Sequence, residues 1–296
     1  MPEFDVSLLT RAVPQADEGL GVRVTSVPRS LLDGRVDDDV EPLALGRRFI
    51  GQVVMASDGD QLVVVGHVTD QVVQVWCGSG RQLGRVAEFD SPVPAGGLVA
   101  LVRFRREWHL FARSERGRTS HLISTDLCTW TQLMQVASSF PAFAVAGAAV
   151  CGADLLLAGR VFVDNTAFGW GLLRSDGRAF EARPVPLPLA TQLGVVGPVV
   201  RHDGDVVLLL DSGHNRTVAT SSGAGWTLGL LVPPIQVLSA FVDGEDLWLA
   251  GTDDDGQACV ARVQDEAVLG LPPGADLGRV RGAIVHQGCL VVAREC

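Results

Sequence analysis

The sequence predicts an all-β fold, a six-bladed β-propeller of four-stranded blades, on three observations. A short apolar run occurs six times and ends each time on a polar residue. The copies are Leu62 to His67, Trp108 to Arg113, Leu155 to Arg160, Val206 to Asp211, Leu247 to Thr252 and Cys289 to Arg294. Successive runs start 46, 47, 51, 41 and 42 residues apart, which is the period typical of four-stranded propeller blades. A turn sequence before each run is the third observation.

These turns predict β-hairpins. They are Asp58-Gly59-Asp60, Arg105-Arg106-Glu107, Cys151-Gly152-Ala153-Asp154, Asp203-Gly204-Asp205, Asp243-Gly244-Glu245-Asp246 and His286-Gln287-Gly288. Glycine and aspartate tolerate the positive φ that tight two-residue turns require. We therefore expect each turn to join the innermost strand of a blade to the second strand.

Segments rich in small residues lie upstream of the turns and are predicted to form the innermost strands. They include Gly96-Gly97, Ala146-Gly147-Ala148-Ala149, Gly197-Pro198, Ser239-Ala240 and Gly282-Ala283. Inner strands converge around the axis of a propeller, so small side chains would relieve crowding there. The alternative is that glycine and alanine are simply frequent in this composition, which includes 34 glycines.

The two chain ends are predicted to close the ring together. The last blade would take its inner strands from residues 279 to 296 and its outer strands from segments around Val6 to Leu9 and Val22 to Val27. The polar stretch from Arg29 to Arg48 is then expected to be a long loop. Residues 1 to 296 would form a single domain. A five-bladed propeller is the alternative to the six-bladed one.

Composition agrees with a large β domain and excludes several kinds of chemistry. The chain has 296 residues, 47% of them hydrophobic, and a formal net charge of −10. It contains no lysine, so all 24 basic residues are arginine, and it contains no tyrosine. A lysine Schiff base, a phosphate-binding loop that ends in Gly-Lys and a tyrosine nucleophile are therefore excluded. We expect no organic cofactor and no metal.

The same features bear on partners and location. An acidic chain without lysine-rich patches argues against nucleic-acid and membrane partners, because phosphate binding depends on clustered cations. No basic region followed by a long apolar one is seen at the N-terminus, so a cytoplasmic protein is expected. The six cysteines are scattered and are predicted to be free thiols.

The ends of the second strands predict a polar ring at the mouth of the central funnel. Its members are His67, Arg113, Arg160, Asp211, Thr252 and Arg294. An arginine presents a planar, permanently charged fork that matches carboxylates and phosphates, so three converging arginines would form an anion site. The alternative is that these residues only cap strands.

Loops beyond the ring add further candidates. Asn165 and Asn215 are the only two asparagines and belong to the same loop type in consecutive blades. His214 lies near Asp211, which could orient it as a general acid or base, and His67 is a second candidate for moving a proton. The alternatives are a turn role for the asparagines and a plain surface position for His214. The acidic run Asp253-Asp254-Asp255-Gly256 is interpreted as an exposed turn rather than a cation site.

One local motif resembles a known family. The segment Ser124-Thr125-Asp126-Leu127-Cys128-Thr129-Trp130 is similar to the Asp-box of sialidase-type propellers, and to a Ser-x-Asp-Leu-x-x-Trp stretch of glycosidases with five-bladed propellers. The resemblance implies a propeller in which such boxes fasten turns away from the active site. It also implies that Arg113, Arg160 and Arg294 imitate the arginine triad with which sialidases bind a carboxylate. The tyrosine nucleophile of that family has no counterpart here.

Two classes of function follow from the sequence. In the first, the chain is an enzyme that needs no cofactor and binds a small anionic or polar metabolite in the funnel. A lyase or cyclase of bacterial specialised metabolism would fit, and a sialidase-like or other glycan-binding or glycan-hydrolysing propeller is an alternative. In the second, the same face is a protein-binding scaffold without catalysis. Fold alone cannot choose between these classes.

Overall fold

The computed structural model describes most of the chain as short antiparallel strands. Described are residues 3–8, 22–28, 41–79, 82–114, 118–133, 142–163, 166–183, 194–200, 204–211, 216–222, 225–230, 236–243, 246–252, 258–263, 268–270, 280–287 and 289–295. None of these residues belongs to a helix long and apolar enough to cross a membrane.

The strands of the described residues are numbered here in chain order. They are β1 (Glu3–Leu8), β2 (Val22–Pro28), β3 (Glu41–Asp58), β4 (Gln61–His67), β5 (Val72–Ser79), β6 (Gln82–Asp90), β7 (Leu98–Phe104), β8 (Glu107–Arg113), β9 (Thr119–Ser124), β10 (Thr131–Leu133), β11 (Ala142–Cys151), β12 (Asp154–Val163), β13 (Thr166–Ser175), β14 (Phe180–Arg183), β15 (Gly194–Val200), β16 (Val206–Asp211), β17 (Arg216–Ser222), β18 (Gly225–Leu230), β19 (Gln236–Asp243), β20 (Asp246–Thr252), β21 (Ala258–Arg262), β22 (Val268–Gly270), β23 (Val280–His286) and β24 (Cys289–Glu295).

Four blades are separate four-stranded sheets whose strands pair in chain order. We call them blade 1 (β7 to β10), blade 2 (β11 to β14), blade 3 (β15 to β18) and blade 4 (β19 to β22). One compact unit holds residues 97–232 and 244–247, which include blades 1 to 3. The other unit holds residues 1–96, 233–243 and 248–296. A single domain over the whole chain stays a prediction.

The remaining strands form one eight-stranded sheet in the order β23-β24-β2-β3-β4-β5-β6, with β1 paired to β3. Strand β2 pairs with β24 from Val22 opposite Glu295 to Pro28 opposite Cys289, so the predicted closure by N-terminal and C-terminal strands is confirmed. Strand β1 instead pairs with β3. Since β3 already begins at Glu41, the predicted loop is wrong for residues 41–48, and residues 29–40 lie outside the described part.

The four-stranded blades of a β-propeller are confirmed, and the described strands form five separate sheets, which matches the five-bladed alternative. The six-bladed count is not confirmed. The reason lies in β3, which is 18 residues long. Its first residues pair with β2 and its last residues pair with β4, so strands on both sides of β3 belong to one hydrogen-bonded sheet.

Four of the five small-residue segments lie in first strands, namely in β11, β15, β19 and β23, whereas Gly96-Gly97 precedes β7, which begins at Leu98. Several first strands also share a β-bulge. The pairing of the first strand with the second shifts register in β3, β7, β11, β15 and β23. A bulge adds one residue to one strand, which increases its twist and bends it. Neighbouring first strands contact one another where both belong to one unit: β11 lies against β7 and β15, and β23 lies against β3 and β19.

The apolar runs form the core between blades, as their second-strand assignment requires. In blades 1 and 2 a cluster of buried side chains includes Phe104, Phe111, Phe143 and Phe180. Phe111 and Phe180 meet edge to face with ring centroids 6.2 Å apart, the geometry that aromatic quadrupoles favour. Phe111 and Phe180 belong to different blades, so the contact ties blade 1 to blade 2.

The described hairpin turns follow the predicted chemistry at three glycines, and residues other than glycine take the positive φ in two further turns, that of blade 1 and that before β24, where Gln287 has φ 49°. Gly59, Gly152 and Gly204 have positive φ, which glycine adopts at little cost. In blade 1 the turn instead places Arg105 at φ 48° and Arg106 at φ 70°. The Arg105 guanidinium lies 5.0 Å from the centre of the Phe104 ring.

Arg105 also bridges two blades. Its Nη2 donates to the carbonyl of Ala153 and its Nη1 donates to the carbonyl of Asp176, both at 3.2 Å. These contacts offset the strain of a non-glycine residue with positive φ, which is of the order of 1 to 3 kcal/mol.

Replacing Arg105 by Ala will therefore lower the free energy of unfolding by about 1 kcal/mol, because the strained turn stays while the hydrogen bonds and the ring contact are lost. Denaturant unfolding measures this difference. Arg106→Ala is the matched control, because the same turn loses a neighbouring exposed guanidinium. We expect it to change stability by no more than about 0.5 kcal/mol. Equal losses from the two variants would refute the bridging role.

Candidate functional site

Two arginines of the predicted ring lie close together on neighbouring blades. Arg113 ends β8 of blade 1, and Arg160 lies in β12 of blade 2. Both side chains are exposed. Partial burial lowers the pKa of Arg113, and the positive charge of Arg160 lowers it further. Arginine nevertheless stays protonated near neutral pH, so the site holds two like charges that repel each other.

The surroundings of this pair fit an anion. Among the described residues, no carboxylate forms an ion pair with either guanidinium. An anion placed between them would remove the repulsion and accept hydrogen bonds from planar N–H groups. The convergence of the predicted ring stays a prediction.

His67 lies in a different setting from the one that the sequence suggested. Its side chain is fully buried. Its Nε2 lies 2.7 Å from the Ser91 hydroxyl and 3.2 Å from the Val93 carbonyl oxygen. Burial is the main cause that lowers the pKa of His67, which keeps the ring neutral. In this position the imidazole fastens the segment after β6 to the end of β4.

The other predicted site residues are located only in part. Asp211 pairs by its backbone with Gly194 and Arg216, Thr252 pairs with Ala258, and Arg294 pairs with Val280 and Arg23. Their side chains are not described. Asn165, His214 and Asn215 lie outside the described residues, as do residues 253–256 of the acidic turn. Their roles stay predictions.

The motif that resembles an Asp-box forms a fastened turn between β9 and β10. The Asp126 carboxylate accepts the N–H groups of Thr129 at 2.8 Å and Cys128 at 2.9 Å, and the Ser124 hydroxyl donates to it at 3.1 Å. These backbone bonds lower the pKa of Asp126. The indole of Trp130 donates to the Leu127 carbonyl at 2.9 Å.

Blade 2 has a similar turn at Ser175-Asp176-Gly177. Asp176 accepts the N–H groups of Arg178 and Ala179, and the Ser175 hydroxyl accepts the N–H of Gly177. The carboxylates of both turns are engaged with their own backbone. This geometry supports a structural role for both turns.

A buried histidine pair was missed by the sequence analysis. His109 of β8 and His121 of β9 are almost fully buried, and Nδ1 of His109 lies 2.8 Å from Nε2 of His121. The His121 ring stacks on Phe111 with centroids 4.5 Å apart. Glu107 lies beside the pair, its Oε2 4.0 Å from Nε2 of His109, and Arg178 binds the other oxygen of Glu107 at 2.8 Å.

Burial dominates the titration of this pair. It lowers the pKa of His109 to about 4, against the opposing attraction of Glu107, and the charge of Arg178 lowers it as well. Burial likewise lowers the pKa of His121 to about 3, with smaller contributions from His109 and Arg178. Both rings are therefore neutral at physiological pH. The only sequence signal was their alternation with apolar residues, which also fits an ordinary core position.

The described residues contain no group of three or more His, Cys, Asp or Glu side chains that could hold a metal ion. Five of the six cysteines are described, and none of these forms a disulfide bond with another described residue.

Comparison with known proteins supports the fold. No family model matches the chain, and no curated protein matches it. Among solved structures, a luciferin-regenerating enzyme superposes with a TM-score of 0.57 at 9% identity, over 85% of this chain and 92% of that chain. The lectin SapL1, solved with α-methyl fucoside, gives a TM-score of 0.52 at 12% identity, over 75% of this chain and 80% of that chain.

A family 117 glycoside hydrolase from Zobellia galactanivorans also matches, with a TM-score of 0.46 at 13% identity over 72% of this chain and 83% of that chain. The two matches with a TM-score above 0.5 described here are thus an enzyme and a lectin. At these identities the likeness supports the propeller fold alone.

The histidine pair makes stability depend on pH. Because the folded pKa values lie below the ordinary value of 6.5, the unfolded chain binds protons more readily than the folded chain. The contribution of the two histidines to the free energy of unfolding will be fully present above about pH 6.5. It will decrease as the pH falls towards 4, by at most about 1.4 kcal/mol per pH unit for each histidine. Denaturant unfolding between pH 7 and pH 4 measures this slope.

His121→Gln is the informative variant, because glutamine keeps a hydrogen-bonding group beside His109 and does not titrate. We expect its stability to change less steeply over the same range. An unchanged slope would show that the pair does not govern the response to acid.

Proposed function

We propose that the chain is a β-propeller enzyme that binds a small anionic metabolite at Arg113 and Arg160. The observation that carries this proposal is the placement of two guanidinium groups on neighbouring blades, where partial burial lowers the pKa of Arg113 and the positive charge of Arg160 lowers it further. Two permanent like charges side by side are costly unless a ligand neutralises them. A phosphate or a dicarboxylate offers enough negative charge for both.

The arginines would position the substrate and stabilise negative charge that develops on it. Fixed cations at the site of developing charge are a strong source of catalysis, because they need no reorganisation during the reaction. A lyase or cyclase would use such a site without an organic cofactor. Asn165 and Asn215, from the loops beyond the ring, are proposed to supply hydrogen-bonding groups, and Thr252 and Arg294 stay predictions from the sequence.

Proton transfer is assigned to His214 with Asp211. The buried position of His67 against Ser91 and Val93 favours His214 as the group that moves a proton. The enzymes among the matched propellers agree with an enzymatic role, although the similarity concerns only the fold.

Calorimetric titration with inorganic phosphate and with succinate tests the anion site. Arg113→Ala and Arg160→Ala should each weaken binding about 10-fold or more, since a hydrogen bond to a charged group contributes about 1.5 to 3 kcal/mol. Binding should also weaken as salt increases. Thermal unfolding should shift by only a few degrees, because both side chains are exposed.

Arg174→Ala is the control, since it removes an exposed arginine that pairs with Glu181 at 3.3 Å in the same blade as Arg160. We expect its affinity for both probes to equal that of the wild type. Unchanged binding by the Arg113 and Arg160 variants, or no binding by the wild type, would refute the proposed site. A propeller that binds neither probe but captures a protein would support the scaffold alternative.

A further inference from the structure

A buried hydroxyl joins the two blades that carry the arginine pair. Thr119 of β9 is 4% exposed. Its Oγ1 donates to the carbonyl oxygen of Phe143 at 2.7 Å and accepts the N–H of Val145 at 3.0 Å. One hydroxyl thus satisfies two backbone groups of β11, both on the same edge of that strand because the residues lie two apart.

The strand register links this hydroxyl to both arginines. Thr119 is the direct cross-strand partner of Arg113 in blade 1. Ala144, which lies between Phe143 and Val145, is the direct cross-strand partner of Arg160 in blade 2. Partners in an antiparallel pair are held about 4.5 to 5.5 Å apart. The path from one arginine to the other therefore consists of two cross-strand pairs and the Thr119 bridge.

The blade 2 end of this path is tightly packed. A Cβ added to Gly159, the residue before Arg160, would contact the carbonyl oxygen of Ala144 and would lie 2.6 Å from the Phe143 ring. Gly159 therefore has no room for a side chain, and strands β11 and β12 pack closely here. The bulge of β11 follows directly, between Val145 and Gly147. Thr119 thus holds a closely packed part of blade 2.

We propose that Thr119 is a positioning residue for the anion site, whose hydroxyl bridge sets the distance between Arg113 and Arg160. The inference rests on the proposed function and names its substrate class, a small dianion with two acidic groups at a fixed separation. The bridge holds two like charges at a separation that their repulsion would otherwise increase. A hydroxyl that only stabilises the fold would have no effect on which dianion binds.

Dicarboxylates of increasing length measure that separation. The wild type is expected to bind one of malonate, succinate and glutarate at least 10-fold more tightly than the weakest of the three. Thr119→Val keeps the shape of the side chain and removes the bridge. We expect it to reduce this preference at least 3-fold, whereas Thr119→Ser, which keeps the hydroxyl, retains the preference.

Ser175→Ala provides the matched control. It also removes a buried hydroxyl from blade 2, one that accepts the N–H of Gly177 at 2.9 Å in a fastened turn. It should lower stability and leave the dicarboxylate preference unchanged. Should Thr119→Val not fold, Thr119→Cys replaces it, because a thiol is only a weak donor, and the same loss of preference is expected.

The outcomes separate the two proposals. If Arg113→Ala and Arg160→Ala lose binding while the hydroxyl-free Thr119 variant keeps the wild-type preference, the positioning role is overturned and the anion site stands. The same conclusion follows if Ser175→Ala changes the preference equally. If the wild type binds none of the three dicarboxylates, the positioning role fails, and the anion site fails with it when inorganic phosphate does not bind either.

Discussion

The close approach of neighbouring first strands is the constraint on which this structure depends. A Cβ added to Gly51 would lie 2.5 Å from the backbone nitrogen of Gly96, which shortly precedes β7, so the two backbones can meet only because Gly51 has no side chain. Gly282 is similarly close to the Val53 carbonyl oxygen, at 3.2 Å. Large side chains on these strands would force them apart, and the apolar surfaces of the blades would no longer be covered.

This constraint also explains where polar side chains can lie. The bulges of β3, β7, β11 and β23 each lie next to the polar position that ends the run on the second strand. Two of these positions show the same local packing. Gly66 precedes His67 and lies against the Phe49 ring, as Gly159 precedes Arg160 and lies against the Phe143 ring. The repeat therefore places equivalent side chains in equivalent positions, and neighbouring segments determine whether each side chain is buried or exposed.

Those neighbouring segments explain how much the sequence could predict. The apolar runs and the Asp-Gly turns are local signals, and they located second strands and hairpins correctly. The pairing of β2 with β24 is not local, because it joins residues from opposite ends of the chain. Strand β3 connects this pair to β4, since it pairs with both β2 and β4. For the same reason the number of separate sheets could not be derived from the spacing of the runs.

The candidate site likewise combines features that local sequence signals predict with features that depend on contacts between distant segments. The positions of Arg113 and Arg160 followed from the repeat. The burial of His67 depends on Ser91, a residue outside the repeated run, and the contact of His109 with His121 depends on which face of the sheet each side chain occupies. The Thr119 bridge involves a loop-flanking residue with no motif of its own. Side-chain partners of this kind are decided by packing between blades, which composition and spacing do not encode.

The absence of lysine gives the arginines several distinct tasks. Arg103 lies over the Trp108 ring at 5.2 Å, and Arg178 pairs with Glu107 at 2.8 Å. Arg105 binds a ring and two carbonyls. A planar guanidinium can serve all these partners because it stacks and donates in fixed directions, which a compact ammonium does less well. Arg113 and Arg160 differ from this group, since the neighbour that acts on Arg113 is another cation. The Thr119 bridge joins the two blades that carry these arginines, and the repulsion between them is what the anion of the proposed function would neutralise.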